Sequence, residues 1–132
     1  MITYLVAHLI LVAFNFLNAQ FDSGRIKANK RIFHGVNLGV ITLLCGLICW
    51  VAGWNVGVIT LFLMSAFCNR QLSFDIPLNH YRGLPWYYVS PEKPPKSITD
   101  QIEIQVFGYN GRAPVYLYAA VWVVCLIVKM FV

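Results

Sequence analysis

Residues 32–54, IFHGVNLGVITLLCGLICWVAGW, decide the fold, because not one Asp, Glu, Lys or Arg interrupts them. A helix rises ~1.5 Å per residue, so roughly 20 apolar residues cross the ~30 Å hydrocarbon core of a bilayer. This stretch is long enough. Three more runs share its character: Thr3–Asn18, Gly57–Cys68 and Pro114–Val132, with Lys129 the one Lys or Arg inside any of the four. Together they account for most of a chain that is 59% hydrophobic. They are too long and too uniformly apolar for the alternating ~10-residue strands of a membrane barrel. In lipid, a helix pairs every backbone polar group within its own segment. The sequence therefore predicts an all-α integral membrane protein, one domain over residues 1–132. Its four transmembrane helices fall at about 2–20, 32–54, 56–74 and 114–132, with a long cytoplasmic loop, 81–112, between the third and fourth.

Charge sets the expected orientation. Arg25, Lys27, Lys30 and Arg31 lie between the first two runs, and Arg82, Lys93, Lys96 and Arg112 between the last two, whereas the Gly53–Asn55 turn carries no charge. The positive-inside rule places both basic loops in the cytoplasm and both termini outside. The excess of ten Lys and Arg over five Asp and Glu then serves topology and anionic headgroups rather than nucleic acid. The first run has no basic segment before it, so it reads as a membrane helix and not as a cleaved secretory signal. Trp50 and Trp54 suit the outer interface, and Trp86, Tyr87 and Tyr88 the inner one. Cys45, Cys49, Cys68 and Cys125 all sit in apolar segments and read as small buried hydrophobes.

Within the long loop, residues 90–96 read as an extended, Pro-rich spacer. Ser97 and Asp100 then form a weak capping box before Ile98, Ile102 and Val106, the apolar face of a short helix lying on the membrane. The strict alternation over 101–106 and the Asn110-Gly111 pair argue instead for a hairpin. The helix is the favoured reading.

Three constellations need explaining. On the second helix Gly35, Gly39, Thr42, Gly46, Cys49 and Gly53 fall in a stripe about 80° wide. Small residues in register let another helix approach closely, either within this chain or from a second subunit. On the first helix His8, Asn15, Asn18 and Asp22 share a face, which should point into the protein because polar groups are costly in hydrocarbon. They serve either interhelical hydrogen bonds or a polar pathway. On the third helix and its extension Gln71, Asp75, Asn79 and Arg82 recur at helical spacing. Asp22, His34 and Asp75, with Asn79 nearby, are thus candidate ligands for a divalent metal. Arg25 and Arg82 are candidates for a lipid phosphate. The plainer alternative is a set of ion pairs bracing helix ends. No cofactor other than such a metal is expected.

The run from Phe74 to Ser90, FDIPLNHYRGLPWYYVS, followed by Ser97-Ile98-Thr99-Asp100, resembles uncharacterised small membrane proteins of bacteriophages and Bacteroidota prophages. The shared kernel is Asp75, Asn79, Arg82-Gly83, the aromatic segment at 86–89, and Ser97 with Asp100. The resemblance covers about 30 residues and implies a polytopic phage-related protein, with no activity attached. No HExxH, GxSxG, P-loop or GxGxxG occurs. Three functions follow as expectations. The first is a structural or assembly subunit of a membrane complex, a phage virion being one such setting, contacting lipid and either further copies of itself or other membrane subunits. The second is a membrane-embedded enzyme or binding site at the cytoplasmic interface. The third is an oligomeric, holin-like pore lined by His8, Asn15 and Asn18.

Overall fold

A computed structural model describes residues 1–30, 34–88, 98–108 and 111–131, giving the backbone alone for 34–35 and 98–100. These residues form five helices and no strand: α1 Ile2–Lys27, α2 His34–Ala52, α3 Val56–Tyr81, α4 Ile98–Phe107 and α5 Arg112–Phe131. Helices α1, α3 and α5 are each long and apolar enough to cross a membrane; the apolar part of α2, Val36–Ala52, is shorter. The chain is a helical membrane protein.

Helix ends depart from the expected bounds. The first helix continues past Gln20 to Lys27, which brings Arg25 and Lys27 into its last turn, where cations face the negative end of the helix dipole. The third runs on to Tyr81 despite Pro77. A proline ring removes one N–H and crowds the preceding turn. The helix accommodates it by widening into a π-helical turn, Gln71–Asp75, just before, which is one of the few ways a helix absorbs such a residue without breaking. The segment 98–107 is helical rather than a hairpin, so its alternation of apolar residues does not decide its structure. Ser97 and the 90–96 spacer lie outside the described residues, as does Asn110. The last helix begins at Arg112, two residues before Pro114.

Contacts between α1 and α3 fall at nearly constant sequence separation: Tyr4 with Ser65, His8 with Ser65 and Asn69, Asn15 with Ser73. A constant offset means two parallel helices in register. Helix α5 runs the other way and packs most extensively on α3, with Tyr118 against Phe67 and Trp122 against His8. Helix α2 touches the bundle more lightly, mainly through α1. It contributes Cys45 to the core formed by Tyr4, Ala7, Leu11, Val58, Phe62 and Ala66.

The α2–α3 turn is built by local chemistry. Gly53 takes φ +61, a left-handed conformation that costs glycine little. The Asn55 side chain then caps α3 by accepting from the Val58 N–H at 3.0 Å. One expectation changes here. Trp50 is 81% exposed, as an interfacial ring should be, but Trp54 turns inward, its centroid 5.0 Å from Phe62 and 5.5 Å from Tyr4. The turn that follows Gly53 points its side chain at the core. Truncating Phe62 to Ala should therefore cost about 3 kcal/mol, whereas Trp50→Ala should stay within about 0.5 kcal/mol. Unfolding of both variants in bicelles checks this, and equal effects would contradict the packing.

Candidate functional site

Two parallel helices that bury polar side chains against each other must satisfy them there, since lipid offers no partner. The α1–α3 seam does so as a continuous chain. The Tyr4 hydroxyl lies 2.7 Å from Ser65 Oγ, which is 2.8 Å from His8 Nε2. Asn69 Nδ2 sits 3.1 Å from His8 Nδ1 and donates to the His8 carbonyl at 3.3 Å. Ser73 Oγ donates back to the Asn69 carbonyl and to its Oδ1, at 2.6 and 2.8 Å, and accepts from Asn15 Nδ2 at 3.0 Å. Tyr4, His8, Asn15, Ser65 and Asn69 are all buried.

The three residues Ser65, His8 and Asn69 stand in the order of a nucleophile, a base and an orienting group, so their proton positions matter. The His8 carbonyl can only accept, so the Asn69 atom facing it is the NH₂ group. That same NH₂ faces His8 Nδ1, which is therefore an acceptor and carries no proton. The ring proton then resides on Nε2 and donates to Ser65 Oγ. Ser65 donates to the Phe62 carbonyl at 3.0 Å and accepts from Tyr4. Every position on Ser65 is filled, and His8 has no lone pair free to take its proton. As arranged, this seam orders helices and does not activate Ser65.

Toward the C-terminal end of α1 the seam is incomplete. Among the described residues, Asn15 Oδ1 and Asn18 Nδ2 are buried without a hydrogen-bond partner. Beyond them Asp22, 1% exposed, accepts from Asn37 Nδ2 at 3.1 Å and so ties α2 to α1. The polar face read on the first helix thus points into this chain's own bundle.

The remaining candidates separate. Asn79 is a clamp: its Nδ2 donates to the carbonyls of Trp86 and Tyr88, at 3.4 and 3.3 Å, and its own carbonyl accepts the Leu84 N–H at 2.9 Å. With Gly83 at φ +72, this folds the aromatic segment back onto the end of α3. Asp75, half-buried, lies in the electrostatic reach of Tyr118, whose hydroxyl donates to Glu103 at 2.7 Å and docks α4 on α5. Arg25 stacks over Phe21 at 5.6 Å and Arg82 over Tyr88 at 5.8 Å. Among the described residues no three His, Cys, Asp or Glu side chains gather into a metal cage; the His34 side chain, third of the expected ligands, lies outside them. The four cysteines are free, three of them buried and Cys49 half-buried.

Sequence reasoning missed Tyr4, Ser65, Asn69 and Ser73. The signal was present for α3, since Ser65, Asn69 and Ser73 recur every four residues, on a different face from the Gln71–Asp75–Asn79 row that was read. Comparison of the chain with family models, curated proteins and solved structures finds no match.

Two amides of the seam should respond oppositely to substitution. Asn69→Leu leaves His8 Nδ1 without its donor, while Ser73 keeps the backbone carbonyl of residue 69, and it should cost about 1–3 kcal/mol. Asn18→Leu removes a group with no partner and should be neutral or stabilising. Equal losses in a steric-trapping measurement would contradict the assigned network.

Proposed function

We propose that this chain is a four-span membrane subunit that works by helix packing, assembling with further copies of itself. One observation carries the reading. Helix α2 presents Gly39, Thr42 and Gly46 outward: Thr42 is exposed, and a Cβ built at either glycine meets nothing within 4 Å. A register of small residues that no helix of the described chain uses is a surface shaped for close approach by another transmembrane helix.

The topology supports it. Because α1 and α3 run parallel, the connection between them must recross the bilayer, and α2 is the segment available. Its 19 residues rise about 28 Å, close to the ~30 Å hydrocarbon thickness. The antiparallel α5 then returns the chain to the side where α1 began. Arg25, Lys27 and Lys30 cluster at the opposite end, which the positive-inside rule assigns to the cytoplasm, with both termini outside. The resemblance of residues 74–100 to small phage membrane proteins favours a viral assembly as the setting.

Single cysteines in a Cys-free background check the topology. Thiols at Asn29 and Lys93 should label from one face and one at Asn55 from the other; labelling of Asn29 and Asn55 from the same face would refute four spans. The packing surface is tested by Gly39→Leu and Gly46→Leu. With open space at both positions, the monomer should keep its thermal stability while the detergent-solubilised particle falls to monomer mass. Unchanged mass in both variants would show that this face meets lipid alone.

A further inference from the structure

Along one edge of the small-residue face, α2 and α3 stand apart and leave an open slot of about 390 Å³. Ile41, Thr42, Cys45, Gly46 and Cys49 line it from α2, Leu63 and Ala66 from α3, and Arg70 closes one end. Leu38 to Cys49 on one wall and Ile59 to Arg70 on the other each cover about 16 Å of helix rise. In a bilayer a slot of this kind is filled, and its chemistry is two-part: an apolar trough with a single cation at its end.

We infer that the slot binds an anionic phospholipid, one acyl chain lying between α2 and α3 and the phosphate on Arg70. Arg70 lies about 21 Å along α3 from Val56, short of the far edge of a ~30 Å core, and the helix continues for eleven more residues. An arginine at that depth reaches toward the nearer headgroups with its long stem in hydrocarbon. Its guanidinium carbon lies over the Phe74 ring, 4.1 Å from the centroid, and a cation over an aromatic face keeps N–H groups for a further acceptor. None of the residues lining the slot is acidic, so nothing in it competes with a phosphate for the charge. The planar fork of Arg matches two phosphate oxygens at once, which a zwitterionic headgroup also offers but with its own ammonium nearby. A net negative headgroup is therefore favoured. Thr42 and Gly46 belong to both the slot and the small-residue face, whereas Gly39 is outside the slot's lining, so a change at Gly39 touches the packing face alone.

Native mass spectrometry of the purified protein from micelles containing equal phosphatidylglycerol and phosphatidylcholine tests this. The wild-type protein should retain phosphatidylglycerol in preference by about tenfold, the scale of one charge-assisted hydrogen-bonded pair. Arg70→Gln should abolish the preference and Arg70→Lys should keep part of it. Thr42→Phe, which fills the trough from an exposed position, should lower retention of both lipids, and Gly39→Leu should leave retention unchanged. Equal retention of the two lipids by the wild-type chain would overturn the inference. So would a preference that survives Arg70→Gln but falls in Arg25→Gln or Arg82→Gln, or one lost in Gly39→Leu, which would give the slot to a second copy.

Discussion

The amide of Asn69 is the interaction on which the rest of the structure depends. Its NH₂ holds both the ring and the carbonyl of His8, and its Oδ1 shares the Ser73 hydroxyl with the backbone carbonyl of Asn69. One side chain thus fixes the sliding and the rotation of α3 against α1. An apolar seam between two helices in lipid could shift by a turn at little cost, because lipid tails pack as well as leucine does. A polar seam cannot, since a shift would leave several groups unpaired in hydrocarbon. The register set here carries Tyr4 to Ser65 at one end and Asn15 to Ser73 at the other. It also carries Phe16 to Tyr81 further down.

With α1 and α3 locked, the positions of the other helices follow with different degrees of constraint. Helix α5 packs on α3 through Tyr118 against Phe67 and reaches α1 through Trp122 against His8, and its Tyr118 holds α4 through Glu103. Helix α2 is held by the Gly53–Asn55 turn at one end and by the Asn37–Asp22 bond at the other. Between these two points it packs through one side only. The small residues of α2 therefore widen a space instead of closing one, and the slot and the packing face are both consequences of that looseness. Helix α2 thus leaves Gly39 and Gly46 outside the core of the described chain.

The fold class was legible from the apolar runs alone, because length and lack of charge are direct readings of bilayer thickness. The polar face of the first helix was legible for a related reason: His8, Asn15 and Asp22 had to point inward. Its partners were not, since Ser65, Asn69 and Ser73 are short polar residues that blend with a membrane helix until a second helix stands opposite them. The ambiguity over Gly39 and Gly46 had a different origin. Spacing shows that a face is small, but only packing shows whether the chain itself uses it. The packing of Trp54 on Tyr4 and Phe62 was not legible, because the left-handed Gly53 that turns its side chain inward acts on backbone direction. Helix α4 was recovered against a competing strand pattern, which six alternating residues are too few to enforce.

The central claim is that Asn69 fixes His8 as an acceptor at Nδ1 and a donor at Nε2, so that the seam is a register lock and not a reactive centre. Solid-state ¹⁵N NMR of the protein in bilayers, with His8 assigned by comparison with His8→Gln, reads both nitrogens directly. The account predicts a neutral ring with its one proton on Nε2 and an unprotonated Nδ1 coupled to the Asn69 amide. A proton on Nδ1, or a doubly protonated ring at neutral pH, would contradict it.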